Sequence, residues 1–364
     1  MSGMWGNNLK ISIFGESHGV GIGVTIDGLP AGIELDLEKI DKEMKRRAPG
    51  RNNLSTPRKE GDLPEILSGF FEGKTTGVPL TAVIRNSDTR SKDYGKLKDL
   101  MRPGHADYTG NIRYGGFNDY RGGGHFSGRI TAPLVFAGAI CKQVLALKGI
   151  EIGTHINSIK NLKDKSFDYV NITKEELHKL SLKELPLIDE SKEDNIRKVI
   201  LDARKEGDSV GGTIECAILG VEPGLGNPFF DSVESTLSHL LFSVPAVKGV
   251  EFGLGFGITE IYGSKSNDSF YYYEDKVRTH SNNNGGILGG ITNGMPIIFK
   301  VAIKPTSSIS KEQNTINIRE KKDETLVVQG RHDPCIVQRA IPVIEAVAAI
   351  GVLDLLKGRY GWQI

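Results

Sequence analysis

Apolar positions along the first 85 residues recur first every second residue, then at helical spacing, then every second residue again. Leu9–Phe14 and Val20–Ile26 alternate as strands do, separated by Gly15-Glu16-Ser17-His18-Gly19 and followed by the turn "DGLPAG". Residues 36–47 predict an amphipathic helix: Asp36 caps it, Leu37, Ile40 and Met44 form the apolar stripe, and Lys45, Arg46 and Arg47 make its end basic. "APGRNNLSTPRKEGD" then breaks all periodicity and reads as a basic loop. Ile66–Phe71 and Val78–Arg85 resume as strands.

From Asn86 to Ser127 there is little regular pattern but much Gly, Arg, Tyr and His. A loop of that length is functional or disordered, and its aromatic residues argue against disorder. Pro133–Leu147 predicts a strongly apolar helix ended by Gly149, with Pro133 tolerated in its first turn. Thr173-Lys174-Glu175-Glu176 is a capping box opening a short polar helix, and a second polar helix near 190–206 stops at Gly207. Val210–Val221 returns to strand, and 228–242 to helix, with Phe230, Val233, Leu237 and Leu241 on one face. Residues 264–296 read as a second long polar loop, Ile297–Ile303 as a strand, and Pro334–Leu356 as a long apolar closing helix. The mixture lacks strict strand–helix–strand alternation, so the fold class is α+β rather than a doubly wound sheet. No linker is visible, and a single domain over residues 1–364 is expected. Two segments share a plan, a Gly-rich loop with His and Arg leading into an apolar helix with an early proline (Pro133, Pro342), which hints at an internal duplication.

Composition narrows the function. Lys and Arg total 46 against 45 Asp and Glu, a formal charge of +1, so no overall field draws the chain to nucleic acid or a membrane, and anion binding must be local. The N-terminus lacks a secretory apolar run, and Glu345 and Asp354 mark the closing helix as buried rather than spanning. Cys141, Cys216 and Cys335 are far apart and form no metal or disulfide pattern. No metal is expected, and a reduced, cytoplasmic setting fits. Glycine, at 45 residues, is the outlier, and its clusters mark places where backbone approaches a ligand closely.

Five stretches offer chemistry. Gly15-Glu16-Ser17-His18-Gly19 matches the G-x-S-x-G pattern of a hydrolase nucleophile elbow, which requires strand, turn and helix; here a strand follows instead. Ser17 is therefore an esterase nucleophile, an ordinary turn residue, or the neighbour of a working His18 that acts as acid or base. "MRPGHADYTG" sets Arg102 three residues before His105, and an Arg-rich loop with a His suits the protonation of a departing phosphate. "YRGGGHFSGR" places three glycines, His125, Ser127 and Arg129 just ahead of a helix, a cradle for a phosphate or flavin or else a hinge. "KPTSS" (304–308) follows a strand with an ammonium and three hydroxyls, equally a phosphate site or a solvated turn. "GRHDPCIVQRAIP" sets Arg331, His332 and Asp333 before the closing helix; Asp333-Pro334 is a good cap pair, the functional alternative being a general base beside an anion ligand. A non-catalytic anion- or nucleotide-binding protein also fits the basic loops.

Taken in order, GESHG, "RPGHAD", "RGGG…S.R", "GGILGG", "KPTSS" and "RHDPC" resemble the chorismate synthase family from end to end. The resemblance implies a β-α-β sandwich with helices packed between antiparallel sheets, long active-site loops and a homotetramer. It implies a lyase of the shikimate pathway, in aromatic amino acid biosynthesis: an anti 1,4-elimination of phosphate from 5-enolpyruvylshikimate 3-phosphate, giving chorismate and requiring reduced FMN. Either NADPH or an external flavin reductase would keep that flavin reduced. By the same resemblance Ser17 orients, His18 keeps the flavin suitably protonated, His105 protonates the departing phosphate, and Asp333 relays the substrate proton, with Ser127 also in the catalytic set. FMN contacts carry over to His125, Phe126, Ser127, Pro245, Ala246, Gly289, Lys304, Pro305, Thr306, Ser307, Ser308 and Arg331. Arg47 and Arg51 fall at NADP or substrate-phosphate positions, and Arg102 and Arg129 suit the substrate's carboxylates and phosphate. His18, His105 and Asp333 are expected around one cavity.

Two departures stand out. Where the family usually reads Arg-Ser-Ser-Ala-Arg after the glycines, this chain has His125-Phe126-Ser127-Gly128-Arg129, a titratable imidazole in place of a permanent cation. A basic family position aligns with Asn53, with Arg51 nearby as a substitute.

Overall fold

The computed structural model describes residues 3–50, 54–56, 61–86, 98–328, 330 and 332–361. Two five-stranded antiparallel sheets enclose a layer of helices. The first contains β1 (Met4–Trp5), β2 (Lys10–Gly15), β3 (Gly21–Asp27), β4 (Pro64–Ser68) and β5 (Leu80–Arg85), in the order β1-β2-β3-β5-β4. The second contains β6 (Glu151–Ile159), β7 (Leu162–Lys163), β8 (Gly212–Leu219), β9 (Val247–Phe252) and β10 (Ile297–Ile303), in the order β9-β10-β8-β6-β7. The helices are α1 (Leu37–Arg47), α2 (Asp107–Arg113), α3 (Thr131–Ala146), α4 (Lys174–Leu182), α5 (Glu193–Lys205), α6 (Val233–Ser243) and α7 (Val337–Tyr360).

Helices α1, α3 and α7 form the middle layer: α3 reaches the first sheet, while α7 lies on β6 and β8 of the second. Both α3 and α7 are apolar around most of their circumference, the pattern of a helix with no solvent face. The run Gly128–Ala146 is long and apolar enough to cross a membrane, yet 83% of it is buried inside the fold. The two helices cross at Gly138, where a Cβ would lie 2.2 Å from the Cβ of Ala346. Beyond the second sheet a smaller cluster around Phe167, Leu177 and Leu180 covers its outer face. The sequence of β8, Gly-Thr-Ile-Glu-Cys-Ala-Ile-Leu, is correspondingly buried on both sides.

Most predicted elements stand with small shifts. Asp36 caps α1 by accepting from the Lys39 amide, and the Thr173 capping box forms in both directions. Asp354 accepts the amides of Asn7, Asn8 and Leu9, tying the start of β2 to α7. Other expectations need correction. The loop from 86 onward holds α2, and α6 starts at Val233 behind a Ser232 cap rather than at 228, because Phe229–Asp231 is a separate tight turn. The loop 264–296 contains two hairpins, Phe270–Tyr273 with Lys276–Thr279 and Ile287–Leu288 with Ile291–Thr292. Strands β6 and β9 and the hairpin Gln313–Asn317 with Lys322–Leu326 were not anticipated. The two segments of shared plan end as the packed pair α3 and α7, and the loops leading into both reach the same cavity.

Candidate functional site

A cavity of about 810 Å³ opens where the β2–β3 corner, the 101–106 loop, the glycine turn before α3, the Lys304–Ser308 segment and the lead into α7 converge. That is the upper part of the size range for a small-molecule site. Six cationic side chains line it, Arg47, Arg102, Arg129, Lys248, Lys304 and Arg339, while Asp333 is the single lining carboxylate among the described residues. Even with Asp62 and Asp107, which pair with lining arginines from behind, three positive charges remain in excess. In a near-neutral protein this is a local anion site.

Gly122, Gly123 and Gly124 have φ values of 58°, 86° and 53°, a left-handed run that side chains resist. Each also abuts something. A Cβ on Gly122 would fall 2.1 Å from the His18 ring, and one on Gly123 would fall 3.0 Å from His105 Cε1. The turn thus runs between the two histidines, clamped at its start by Arg121 pairing with Asp119. Ser17 Oγ lies 3.1 Å from His18 Nδ1 and within reach of the Arg121 and Gly122 carbonyls. Gly15 leads through the corner into β3, a strand, so the helix that a nucleophile elbow needs is absent and the esterase reading fails on geometry. His105 and Asp333 line the cavity, but the expectation that His18 lines it with them is not met: Ser17 and His18 lie one layer behind it, against Gly122, which does line it.

The arginines are held by carboxylates that sequence spacing gave no reason to single out. Asp62, with no exposed side-chain surface, takes an Arg47 nitrogen on one oxygen and Arg129 Nη1 on the other at 2.5 Å. Arg47 also donates to Thr131 Oγ1, and Arg129 Nε to Asn86 Oδ1 at 2.7 Å. Asp107 receives Arg102 Nε at 2.6 Å and Nη2 at 2.7 Å, with His105 Nδ1 at 2.7 Å. Burial would raise the Asp107 carboxyl, but hydrogen bonds and charge from Arg102 and His105 hold it well below the usual carboxylate range.

Against the same loop, Lys304 donates to the Gly104 carbonyl, and Ser308 accepts from Arg102 at 3.3 Å. Burial and the neighbouring Lys248 lower the Lys304 ammonium. Thr306 Oγ1 is buried with no hydrogen-bond partner among the described residues, a hydroxyl that a polar ligand atom would satisfy. Pro245 and Ala246 line the same cavity. Ala246 holds φ at 75°, left-handed for a residue with a side chain, pinned by the Lys304 amide on its carbonyl at 2.9 Å. Pro305 and Ser307 line it as well.

Asp333 does not cap α7, whose first residue is Val337 and whose cap residue Ile336 offers no side-chain bond. Its carboxylate instead accepts the Thr56 amide at 2.8 Å and pairs with Arg339, whose Nε reaches the Arg47 carbonyl. His125 Nδ1 donates to the Gly15 carbonyl at 2.8 Å; since a carbonyl only accepts, Nδ1 carries the proton. Phe126 packs on Gly110, whose Cβ would collide with it, and on Tyr114. Ser127 caps the turn that enters α3. His125, Phe126 and Ser127 all line the cavity.

Gly289 is the exception. It sits in the two-residue turn of the Ile287–Thr292 hairpin with φ of 60°, its Cβ direction open, and it does not line the cavity. Its glycine is required by the turn. Arg51, Asn53 and Arg331 lie outside the described residues. Asp62, Asp107, Arg339 and Thr56 are additions that only the folded chain reveals.

A family model described as chorismate synthase matches residues 9–356. The chain is 47% identical over 361 residues to a chorismate synthase of Pyrococcus abyssi and 44% identical over 360 residues to one of Thermococcus kodakarensis, each covering 99% of both chains. A solved structure described as a crystal structure of chorismate synthase superposes with a TM-score of 0.78 at 32% identity, covering 98% of this chain and 94% of that one.

Proposed function

The chain belongs to the chorismate synthase family of carbon–oxygen lyases, and we propose that its cavity carries out the full reaction the family resemblance implies. That reaction is an anti 1,4-elimination of phosphate from 5-enolpyruvylshikimate 3-phosphate with reduced FMN bound beside the substrate. The observation that carries the reading is the three-charge excess around one cavity, which suits a ligand with a phosphate and two carboxylates. The residues present also fit FMN. Thr306 offers an unsatisfied hydroxyl, Ser307 and Ser308 flank it, and the strained Ala246 lines the same cavity. When bound, the reduced flavin supplies electron density to assist cleavage of the carbon–oxygen bond.

The chain's own residues then divide the remaining tasks. Arg47 and Arg129, fixed by Asp62, grip anionic groups at one end, and Arg102 with Lys304 does so at the other. His105 Nε2 gives a proton to the departing phosphate, and Asp333, the lining carboxylate, accepts the proton lost from the substrate ring. His18 acts across the Gly122 turn, oriented by Ser17, to maintain the flavin's protonation. The long loops exclude water and hold the reactants in register.

The test is anaerobic phosphate release from enolpyruvylshikimate phosphate with reduced or oxidised FMN, and with NADPH or an added flavin reductase. Release with reduced flavin alone is expected, and release with oxidised flavin contradicts the reading. A homotetramer, as in the family resemblance, has support in Phe229, Phe230, Phe256 and Tyr262, each more than four-fifths exposed. Light scattering on purified protein checks it.

A further inference from the structure

We propose that Asp107 is the positioning residue of the proton donor: it holds His105 by its Nδ1–H, so that the Nε2 proton of the imidazolium is the one presented to the cavity. Three observations support this. First, Asp107 opens α2 but does not cap it; the cap residue is Ala106, which makes no side-chain bond. The Asp107 carboxylate instead turns back onto the loop, where it takes the Arg102 amide at 3.1 Å, Arg102 Nε and Nη2, and His105 Nδ1 at 2.7 Å. Second, Nδ1 also lies 3.2 Å from Arg102 Nη2. A guanidinium only donates and a carboxylate only accepts, so Nδ1 cannot serve both; the shorter contact assigns its proton to Asp107. Third, the Cε1–Nε2 edge of the ring is the one turned to Gly123, at 3.0 and 3.1 Å from where a Cβ would stand. Having no Cβ, the glycine lets the turn approach that edge without a clash, and His105 itself lines the cavity.

Charge sharpens the argument. The groups facing His105 are Arg102 and Asp107 from its own loop and helix, Lys304 through the Gly104 carbonyl, and His18 across the glycine turn. Asp107 is the one carboxylate among these groups. The arrangement parallels the carboxylate that orients a catalytic imidazole in acyl-transfer triads. This inference rests on His105 being the proton donor.

The experiment combines kinetics with a readout that needs neither flavin nor turnover. In Asp107→Asn, kcat for phosphate release is expected to fall about 10- to 100-fold, a part of what a placed general acid contributes, with KM changed less than about two-fold. Asp107→Glu restores part of the rate. In a His105→Ala background, Asp107→Asn costs nothing further. In the flavin-free protein at alkaline pH, where the ring is neutral, nitrogen-15 shifts of His105 report the Nδ1–H tautomer in the native chain and a mixture in Asp107→Asn. An equal loss in both backgrounds, a loss confined to KM, or an Nε2–H tautomer in the native chain overturns the proposal. Unchanged turnover in His105→Ala alone would instead overturn the proton-donor reading, while leaving the tautomer result standing.

Discussion

Arg46 and Arg47 are consecutive residues at the end of α1, and their guanidinium groups enter two buried polar regions of opposite character. Arg46 joins a closed network. Glu345, on α7, receives two Arg46 bonds at 2.7 and 2.9 Å, Lys142 at 2.7 Å and Thr154 at 2.7 Å, and Glu43 bonds both cations. Two carboxylates meet two cations, and the charges cancel. Arg47 enters the cavity, where six lining cations meet three carboxylates and the Thr306 hydroxyl stands unsatisfied. The lesson is that burial of charge does not distinguish structure from function. Balance does. A closed network holds four elements in register, whereas an open one with an excess of one sign awaits a ligand of the other.

The comparison breaks most sharply at His105. His105→Ala should lower phosphate release about 10²–10⁴-fold while FMN still binds, as rapid-quench kinetics and a flavin titration would show. A change of comparable size but different kind is expected in the closed network. Glu345→Ala leaves Arg46 and Lys142 buried without their shared acceptor and should cost about 3–5 kcal/mol of stability, read from denaturant unfolding. Turnover per folded molecule should change little.

pH sharpens the same contrast. Burial would raise the Glu345 carboxyl, but the charges of Arg46 and Lys142 hold it well below the usual carboxylate range. Its folded value lies below its unfolded one, so its stabilisation is present above the unfolded value, about 4.3, and is lost as pH falls through the folded one. Glu345→Gln should therefore show a shallower loss of stability below about pH 4 than the native chain, in unfolding curves taken from pH 7 downward. The smallest effect belongs to Thr306→Val. It removes a hydroxyl bonded only when ligand is present, so FMN affinity should weaken by about 1 kcal/mol with unfolding unchanged.

How much of this was legible in the sequence depended on whether each signal was local. Helix α1, its Asp36 cap, the Thr173 capping box and β10 were all readable, because period and cap chemistry lie within a few residues. Strand β6 was not. Thr154 and His155 interrupt its apolar run, and both are buried because distant carboxylates satisfy them, Glu345 for one and Glu215 for the other. Helix α2 carries a glycine and lacks a capping side chain, so it left no signature. The glycine turn, His105, Asp333 and the 304–308 hydroxyls could be named in advance, since their residue types announce chemistry. Asp62, Asp107 and Arg339 could not, because each acts by completing a partner that only folding brings near. Nothing local separates Arg46 from Arg47; one hundred degrees of helix rotation does.

That pair supplies the most direct measurement of the central claim. Arg46→Met and Arg47→Met should be compared by calorimetric titration with 5-enolpyruvylshikimate 3-phosphate, alongside denaturant unfolding of each. The account predicts that Arg46→Met loses stability and keeps its ligand affinity, while Arg47→Met, whose partner Asp62 retains Arg129, stays the more stable of the two and binds the anion at least about tenfold more weakly. Equal affinity in both variants, or the reverse assignment, would contradict it.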